Sequence, residues 1–106
     1  MKVILINGSP NEKGCTRRAL SEIENTLHSE GIETEIFNIG TDAIAGCLGC
    51  RACRELGKCV IDDKVNEFIE LAESADGFIF GSPVYYAGAN GALTAFMDRA
   101  FYSDRC

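Results

Sequence analysis

Residues 2–16 read KVILINGSPNEKGCT, and this stretch decides the fold. KVILI (2–6) is a short, continuous apolar run rich in β-branched residues, which suits a strand covered on both faces, as in a parallel sheet. Asn7-Gly8 ends the run, and GSPNEKGCT (8–16) reads as a loop that opens a helix. In that helix Leu20, Ile23 and Leu27 recur at helical spacing, and Gly31 stands where a C-terminal cap belongs.

The same alternation continues outward. IETEIFNI (32–39) reads as a second strand whose Glu33 and Glu35 share one side, a pattern that fits an edge position. Residues 46–60, rich in cysteine, read as an irregular loop. Asp62-Asp63 then offers an N-cap to a helix with Val65, Phe68, Ile69 and Ala72 on one face. GFIFG (77–81) is a third strand, apolar on both sides and therefore expected to be central. SPVYYAGANG (82–91) leads to a last helix with Leu93, Phe96, Met97 and Ala100 on its inner face. Strands alternating with helices imply a parallel sheet with right-handed crossovers. The expectation is one open, doubly wound α/β domain over residues 1–106, with about three strands and flanking helices. A central strand needs a neighbour on each side. The sheet is therefore expected to be incomplete at its C-terminal side or completed by another subunit, with a homodimer or higher homo-oligomer in either case.

Composition narrows the function. The chain has 106 residues, 46% apolar and 25% charged, which is ordinary for a globular domain. Its net charge of -6 argues against a nucleic-acid or anionic-membrane surface. No run approaches the roughly 20 apolar residues that span a bilayer, and VILI (3–6) is too short for a signal peptide. A cytoplasmic location is expected. Thiols stay reduced there, and clustered cysteines are more often metal ligands or redox groups than disulfides.

Ligands of open parallel sheets sit beyond the carboxyl ends of the strands, so two loops qualify. In the first, the hydroxyls of Ser9 and Thr16, the amide of Asn11, Lys13 and the N–H groups of a helix start suit a phosphate monoester. The same loop reads equally as an ordinary capped turn. It is neither G-x-x-x-x-G-K-[ST] nor G-x-G-x-x-G. In the second, Gly88 and Gly91 let the backbone turn or approach a ligand. Tyr85 and Tyr86 either stack on a flat aromatic ligand or simply cover the sheet end.

GSPNEKGCT (8–16), GSPVYYAGANGALTAFMDR (81–99) and the C-x2-C-x2-C-x5-C run followed by VIDD (60–63) together resemble the flavodoxin-like NAD(P)H-dependent FMN reductases, and more narrowly their iron–sulfur flavoprotein branch. The resemblance covers nearly the whole chain, but only the N-terminal part of such proteins. It implies that Ser9, Asn11, Lys13, Cys15 and Thr16 hold the FMN phosphate. Pro83, Val84, Tyr85, Tyr86 and Gly88 would line the isoalloxazine. Asn11 stands where relatives often carry Arg, which leaves the positive charge to Lys13. Cys15 replaces a common Asn or Ser, so that contact would come from backbone. The implied activity passes electrons from NAD(P)H through FMN to a [4Fe–4S] cluster or to an acceptor that no residue specifies. Cofactors carry such chemistry, and no catalytic side chain is assigned. The alternatives are an electron carrier without nicotinamide activity of its own, and a zinc- or thiol-containing non-catalytic module.

GCLGCRACRELGKC (46–59) places four of the six cysteines in fourteen residues. Four-cysteine zinc sites usually join two C-x2-C knuckles a dozen or more residues apart. Here Cys47, Cys50 and Cys53 recur at every third residue and Cys59 follows after five. This is closer to the ferredoxin run C-x2-C-x2-C-x3-C-P, although the last gap is longer and Val60 replaces Pro. Gly46, Gly49 and Gly57 permit sharp turns, and Arg51, Arg54 and Lys58 would offset thiolate charge. The compartment disfavours disulfides and the spacing disfavours zinc, which leaves a cluster cradle or an empty thiol site. His28 reads as a solvated helix-end residue, and Cys15 and the terminal Cys106 receive no catalytic role.

Overall fold

The computed structural model describes residues 1–104; Cys106 lies outside them. A three-stranded parallel sheet has the order β2-β1-β3, with β1 at Lys2–Asn7, β2 at Glu33–Asn38 and β3 at Gly77–Gly81. Helix α1 (Cys15–Ser29) joins β1 to β2. A single helical turn, α2 (Cys53–Leu56), and α3 (Lys64–Ala72) lie between β2 and β3. A small antiparallel hairpin of β4 (Val84–Tyr85) and β5 (Gly88–Ala89) precedes α4 (Gly91–Asp104).

Both faces of β1 are buried because its side chains alternate between two cores. Val3 and Leu5 meet Leu20 of α1, with Ile23, Leu27, Ile36 and Ile79 around them. Ile4 and Ile6 face the other way, into Val65 and Phe68 of α3 and Leu93, Phe96 and Ala100 of α4. Ile4, Leu5 and Ile6 are wholly buried, each contributing about 1.5–3 kcal/mol through apolar burial. All six phenylalanines of the chain join one network of ring contacts, which links Phe37, Phe68, Phe80 and Phe96 of the second core to the exposed Phe78 and Phe101. Phe68 is their hub, with centroids 5.2 Å from Phe96, 5.5 Å from Phe78 and 5.7 Å from Phe37.

The helix ends match their residues. Gly31, at φ 76°, and Ile32 close α1 with N–H bonds to the His28 and Leu27 carbonyls, a glycine C-cap. Asp63 caps α3 by accepting from the Val65 N–H at 3.1 Å. His28 is exposed near the end of α1 and lies 2.7 Å from the Thr34 hydroxyl.

Among the described residues β1 alone is paired on both sides; β3 pairs only with β1, and Phe78 on it is 40% exposed. An apolar run on both sides of a strand reports helices over both faces, whereas lateral position depends on backbone pairing, which side chains do not reveal. One expectation is corrected. The cysteine segment is not wholly irregular, because Cys53–Leu56 forms a helical turn closed by Gly57 at φ 74°.

The ends of β1 and β3 meet so closely that a side chain does not fit. A Cβ on Gly8 would lie 2.9 Å from both the Gly81 carbonyl oxygen and the Leu93 Cβ. Gly8→Ala is therefore expected to destabilise the chain by about 1–3 kcal/mol, read as a lower urea midpoint at unchanged slope.

Candidate functional site

The two loops singled out in the sequence leave the carboxyl ends of adjacent strands and are bonded to one another. The Gly8 N–H donates to the Gly81 carbonyl at 2.8 Å. Asn90, buried, donates Nδ2–H to the Gly8 carbonyl at 2.6 Å and its own N–H to Ser82 Oγ at 3.0 Å. Its Oδ1 accepts from the Leu93 N–H at 3.0 Å, which caps α4. One asparagine thus fastens both loops to the start of a helix. Sequence reading passed over it; its signal was an Asn just before the helical run GALTAF.

The first loop curls through successive side-chain bonds. Asn7 Oδ1 accepts from the Ser9 N–H at 3.1 Å, Ser9 Oγ from the Asn11 N–H at 3.0 Å, and Asn11 Oδ1 from the Lys13 N–H at 3.0 Å. Ser9 is buried, Thr16 half-buried, and Asn11, Lys13 and Cys15 exposed. Gly14 occupies the N-cap of α1 with no side-chain cap bond, and no acidic residue stands in the first turn. The orphan N–H groups and positive dipole end there favour an anion. Lys13, Arg17 and Arg18 line an open cleft of about 410 Å³ beside them, and Arg18 pairs with Glu22.

The second loop turns at a different place than expected. Tyr86 (φ 49°) and Ala87 (φ 65°) carry the hairpin turn, while Gly88 and Gly91 have ordinary φ. Two consecutive positive φ values match a two-residue hairpin turn whose twist suits its strands. Val84, Tyr85 and Gly88 are exposed, Pro83 is half-buried, and Tyr86 is fully exposed. The tyrosines therefore project into solvent and do not cover the sheet end. Ala87→Gly relieves a left-handed alanine and is expected to raise stability by about 0.5 kcal/mol, seen as a higher urea midpoint.

Cys47, Cys50, Cys53 and Cys59 line one cavity of about 20 Å³, together with Arg51 and Arg99. Cys47 and Cys50 are exposed, Cys59 is half-buried and Cys53 is buried. Cys47 Sγ accepts from the Gly49 N–H at 3.4 Å. The left-handed residues that shape the segment are Gly49, Arg51 and Gly57, and Gly46 is not among them. Arg54 and Lys58 are exposed and do not line the cavity. A sulfur-only donor set suits a thiophilic metal or an iron–sulfur cluster. Among the described residues no three His, Cys, Asp or Glu side chains are gathered at metal-ligating geometry. Ligation would thus require the exposed thiols to turn inward.

The cation beside these thiols comes from α4. Arg99 is 1% exposed and forms a bidentate ion pair with Asp63, both bonds 2.8 Å. Burial pushes the Asp63 carboxyl up, but the Arg99 hydrogen bond, the Val65 N–H and the Arg99 charge outweigh it and hold the carboxyl below its ordinary value. The hydrogen bond that Arg99 donates to Asp63 in turn raises Arg99, against the opposing effect of burial. Asn66, also buried, donates Nδ2–H to the Cys59 carbonyl at 3.0 Å. Neither Arg99 nor Asn66 was singled out in the sequence. The signal for Arg99 was a charge at helical spacing from Phe96.

Asp63→Asn leaves a buried guanidinium uncompensated and is expected to cost about 3 kcal/mol at pH 7. The pH dependence has a definite sign. A depressed folded-state value stabilises above the ordinary carboxylate range, near 3.9, and that stabilisation is lost as pH falls through the folded value. The stability gap between wild type and Asp63→Asn should be constant above about pH 5 and shrink below about pH 4, measured by urea unfolding at each pH.

The family model described as NADPH-dependent FMN reductase matches residues 1–105. An iron–sulfur flavoprotein of Methanocaldococcus jannaschii is 44% identical over 100 residues, covering 94% of this chain and 52% of the relative. An FMN reductase (NADPH) of Pseudomonas putida is 29% identical over 98 residues, covering 92% and 46%. The chain spans about half the length of these curated relatives. Among solved structures, an NAD(P)H:quinone oxidoreductase from Methanothermobacter marburgensis superposes with a TM-score of 0.72 at 19% identity, over 95% of this chain and 53% of that one. That likeness is one of fold, and the fold is flavodoxin-like. With residues 1–105 matched by that family model and the two loops carried on this sheet, the chain belongs to the NADPH-dependent FMN reductase family.

Proposed function

We propose that this chain supplies the FMN phosphate and ring contacts, and the cysteine site, of an NAD(P)H-dependent flavin oxidoreductase. One observation carries the reading. Both candidate loops leave the carboxyl ends of β1 and β3 and are bonded together through Asn90. In a 2-1-3 strand order that crevice is the topological switch point, where FMN binds in the flavodoxin-like arrangement. When bound, FMN supplies hydride acceptance and single-electron release, and a [4Fe–4S] cluster supplies a one-electron relay.

The chain's own residues bind and orient. Ser9 Oγ already accepts from the Asn11 N–H, so its hydroxyl hydrogen is left to donate toward a phosphate. The uncapped start of α1 offers the N–H groups of Cys15 and Thr16 to the same anion. Asn11 turns its side-chain oxygen back onto the Lys13 N–H, which shapes the loop and leaves the Lys13 ammonium as the nearby charge. Pro83, Val84, Tyr85, Tyr86 and Gly88 would flank the ring, the hairpin presenting peptide planes and two aromatic rings. Cys47, Cys50, Cys53 and Cys59 would hold the cluster as thiolates. The reduced nicotinamide, the electron acceptor and a homo-oligomeric assembly belong to the same reading. An acidic chain with unbridged thiols and, among its described residues, no helix long and apolar enough to cross a membrane fits a cytoplasmic setting.

The test is anaerobic purification of the full chain, followed by FMN titration and addition of NADPH. Wild type should quench FMN fluorescence with saturation, and NADPH should bleach the bound flavin without an added partner. Ser9→Ala, which removes a hydrogen bond to a charged group, should weaken FMN binding about tenfold to a hundredfold. Saturable FMN binding without bleaching would favour the carrier. No FMN binding, with zinc and no iron on metal analysis, would favour the non-catalytic module and overturn the proposal.

A further inference from the structure

Arg99 makes five hydrogen bonds, and a guanidinium has five N–H donors. Nε donates to Cys59 Sγ at 3.4 Å. Nη1 donates to the Ala45 carbonyl at 3.1 Å and to Asp63 Oδ2 at 2.8 Å. Nη2 donates to the Ile61 carbonyl at 3.0 Å and to Asp63 Oδ1 at 2.8 Å. Ala45 precedes Cys47 and Ile61 follows Cys59, so one planar group on α4 grips the cysteine segment just outside its first and last thiols. The side chain is wholly buried. Its charge is balanced by Asp63, the N-cap of α3, so the grip does not leave an isolated buried charge.

We propose that Arg99 is the positioning residue of the four-cysteine site. It closes the segment from Ala45 to Ile61 into a loop against α4 and directs a hydrogen bond at the sulfur of Cys59. This inference rests on the reading that the four thiols hold an iron–sulfur cluster, and adds which group sets their geometry and tunes them. Fastening both loop ends reduces the entropy lost when exposed Cys47 and Cys50 gather toward Cys53 and Cys59. An N–H donated to a ligand sulfur stabilises the more negative, reduced state and raises the reduction potential. Lysine cannot substitute, because a single ammonium lacks the planar fork that reaches Ala45, Ile61, Asp63 and Cys59 together.

Two measurements on the full chain test this, using Arg99→Lys, which keeps the charge facing Asp63, and Arg99→Gln. In the metal-free protein, N-ethylmaleimide labelling read by mass spectrometry should show Cys53 and Cys59 reacting faster in both variants, with Cys15 unchanged as an internal reference. After anaerobic reconstitution with ferrous iron and sulfide, the variants should lose most of the iron that wild type binds. Any cluster they retain should have a more negative midpoint potential, a shift that a merely structural role would not produce. Folded variants with wild-type labelling, iron content and potential would overturn the proposal. If wild type takes up no iron, the cluster reading fails, and the labelling result alone decides whether Arg99 closes the loop. If both variants fail to fold, the wild-type Arg99 Nε–H resonance serves instead. It should broaden when iron is taken up, and an unperturbed resonance in an iron-loaded sample would overturn the proposal.

Discussion

The buried ion pair of Arg99 with Asp63 is the constraint on which the second half of the molecule depends. Asp63 begins α3, Arg99 lies deep in α4, and the same guanidinium holds the backbone on either side of the cysteine run. The phenylalanine core between sheet and helices gives α3 and α4 a reason to pack, but apolar contacts are not directional. The bidentate pair supplies direction: it fixes which turn of α4 faces which end of α3. A charge pair placed here does more for specificity than for stability, since two well-packed apolar residues would stabilise as well.

The carboxyl end of the sheet is organised by backbone proximity. Gly8 and Gly81 bring the ends of β1 and β3 into direct hydrogen bonding, and a buried Asn90 bridges the loops that leave them. The two candidate sites are therefore built on different principles. The loop crevice is set by strand pairing, which is rigid and local. The cysteine site is set by a long side chain that reaches across between elements. The positive-φ turn at Tyr86-Ala87 shows the same division, because the seam that begins at Ser82 and ends at Asn90 leaves the hairpin little freedom to choose an easier turn.

Much of this was legible in the residues. The unbroken apolar run 2–6 announced a strand covered on both faces, Gly31 announced the end of α1, and Asp63 announced the start of α3. The loops at 8–16 and 82–91 and the spacing of Cys47, Cys50, Cys53 and Cys59 marked where chemistry would lie. What stayed hidden depends on tertiary structure. Arg99 falls on the apolar side of its helix, but its partner is hidden until Asp63, thirty-six residues earlier, is brought against it. Asn90 resembles a plain loop residue until Gly8 comes within reach. The turn at Tyr86-Ala87 contains none of the Gly, Asn or Asp that normally advertise positive φ, so its position follows from strand register. That β1 is the strand paired on both sides within this chain was also hidden, because side-chain pattern reports the covering of faces and is silent about edges.

Helix α4 is fastened at its start to the loop seam by Asn90 and further along to the cysteine segment by Arg99. Those anchors are about two and a half helical turns apart, or about 13 Å along the axis. The helix thereby acts as a ruler with a phase as well as a length. Inserting or deleting one residue between them would shift Arg99 by about 1.5 Å and swing it by about 100° around the axis. That rotation would turn its guanidinium away from Cys59. The distance and bearing between the two sites are thus written into the residue count from 90 to 99, and this stretch can change its letters more freely than its number.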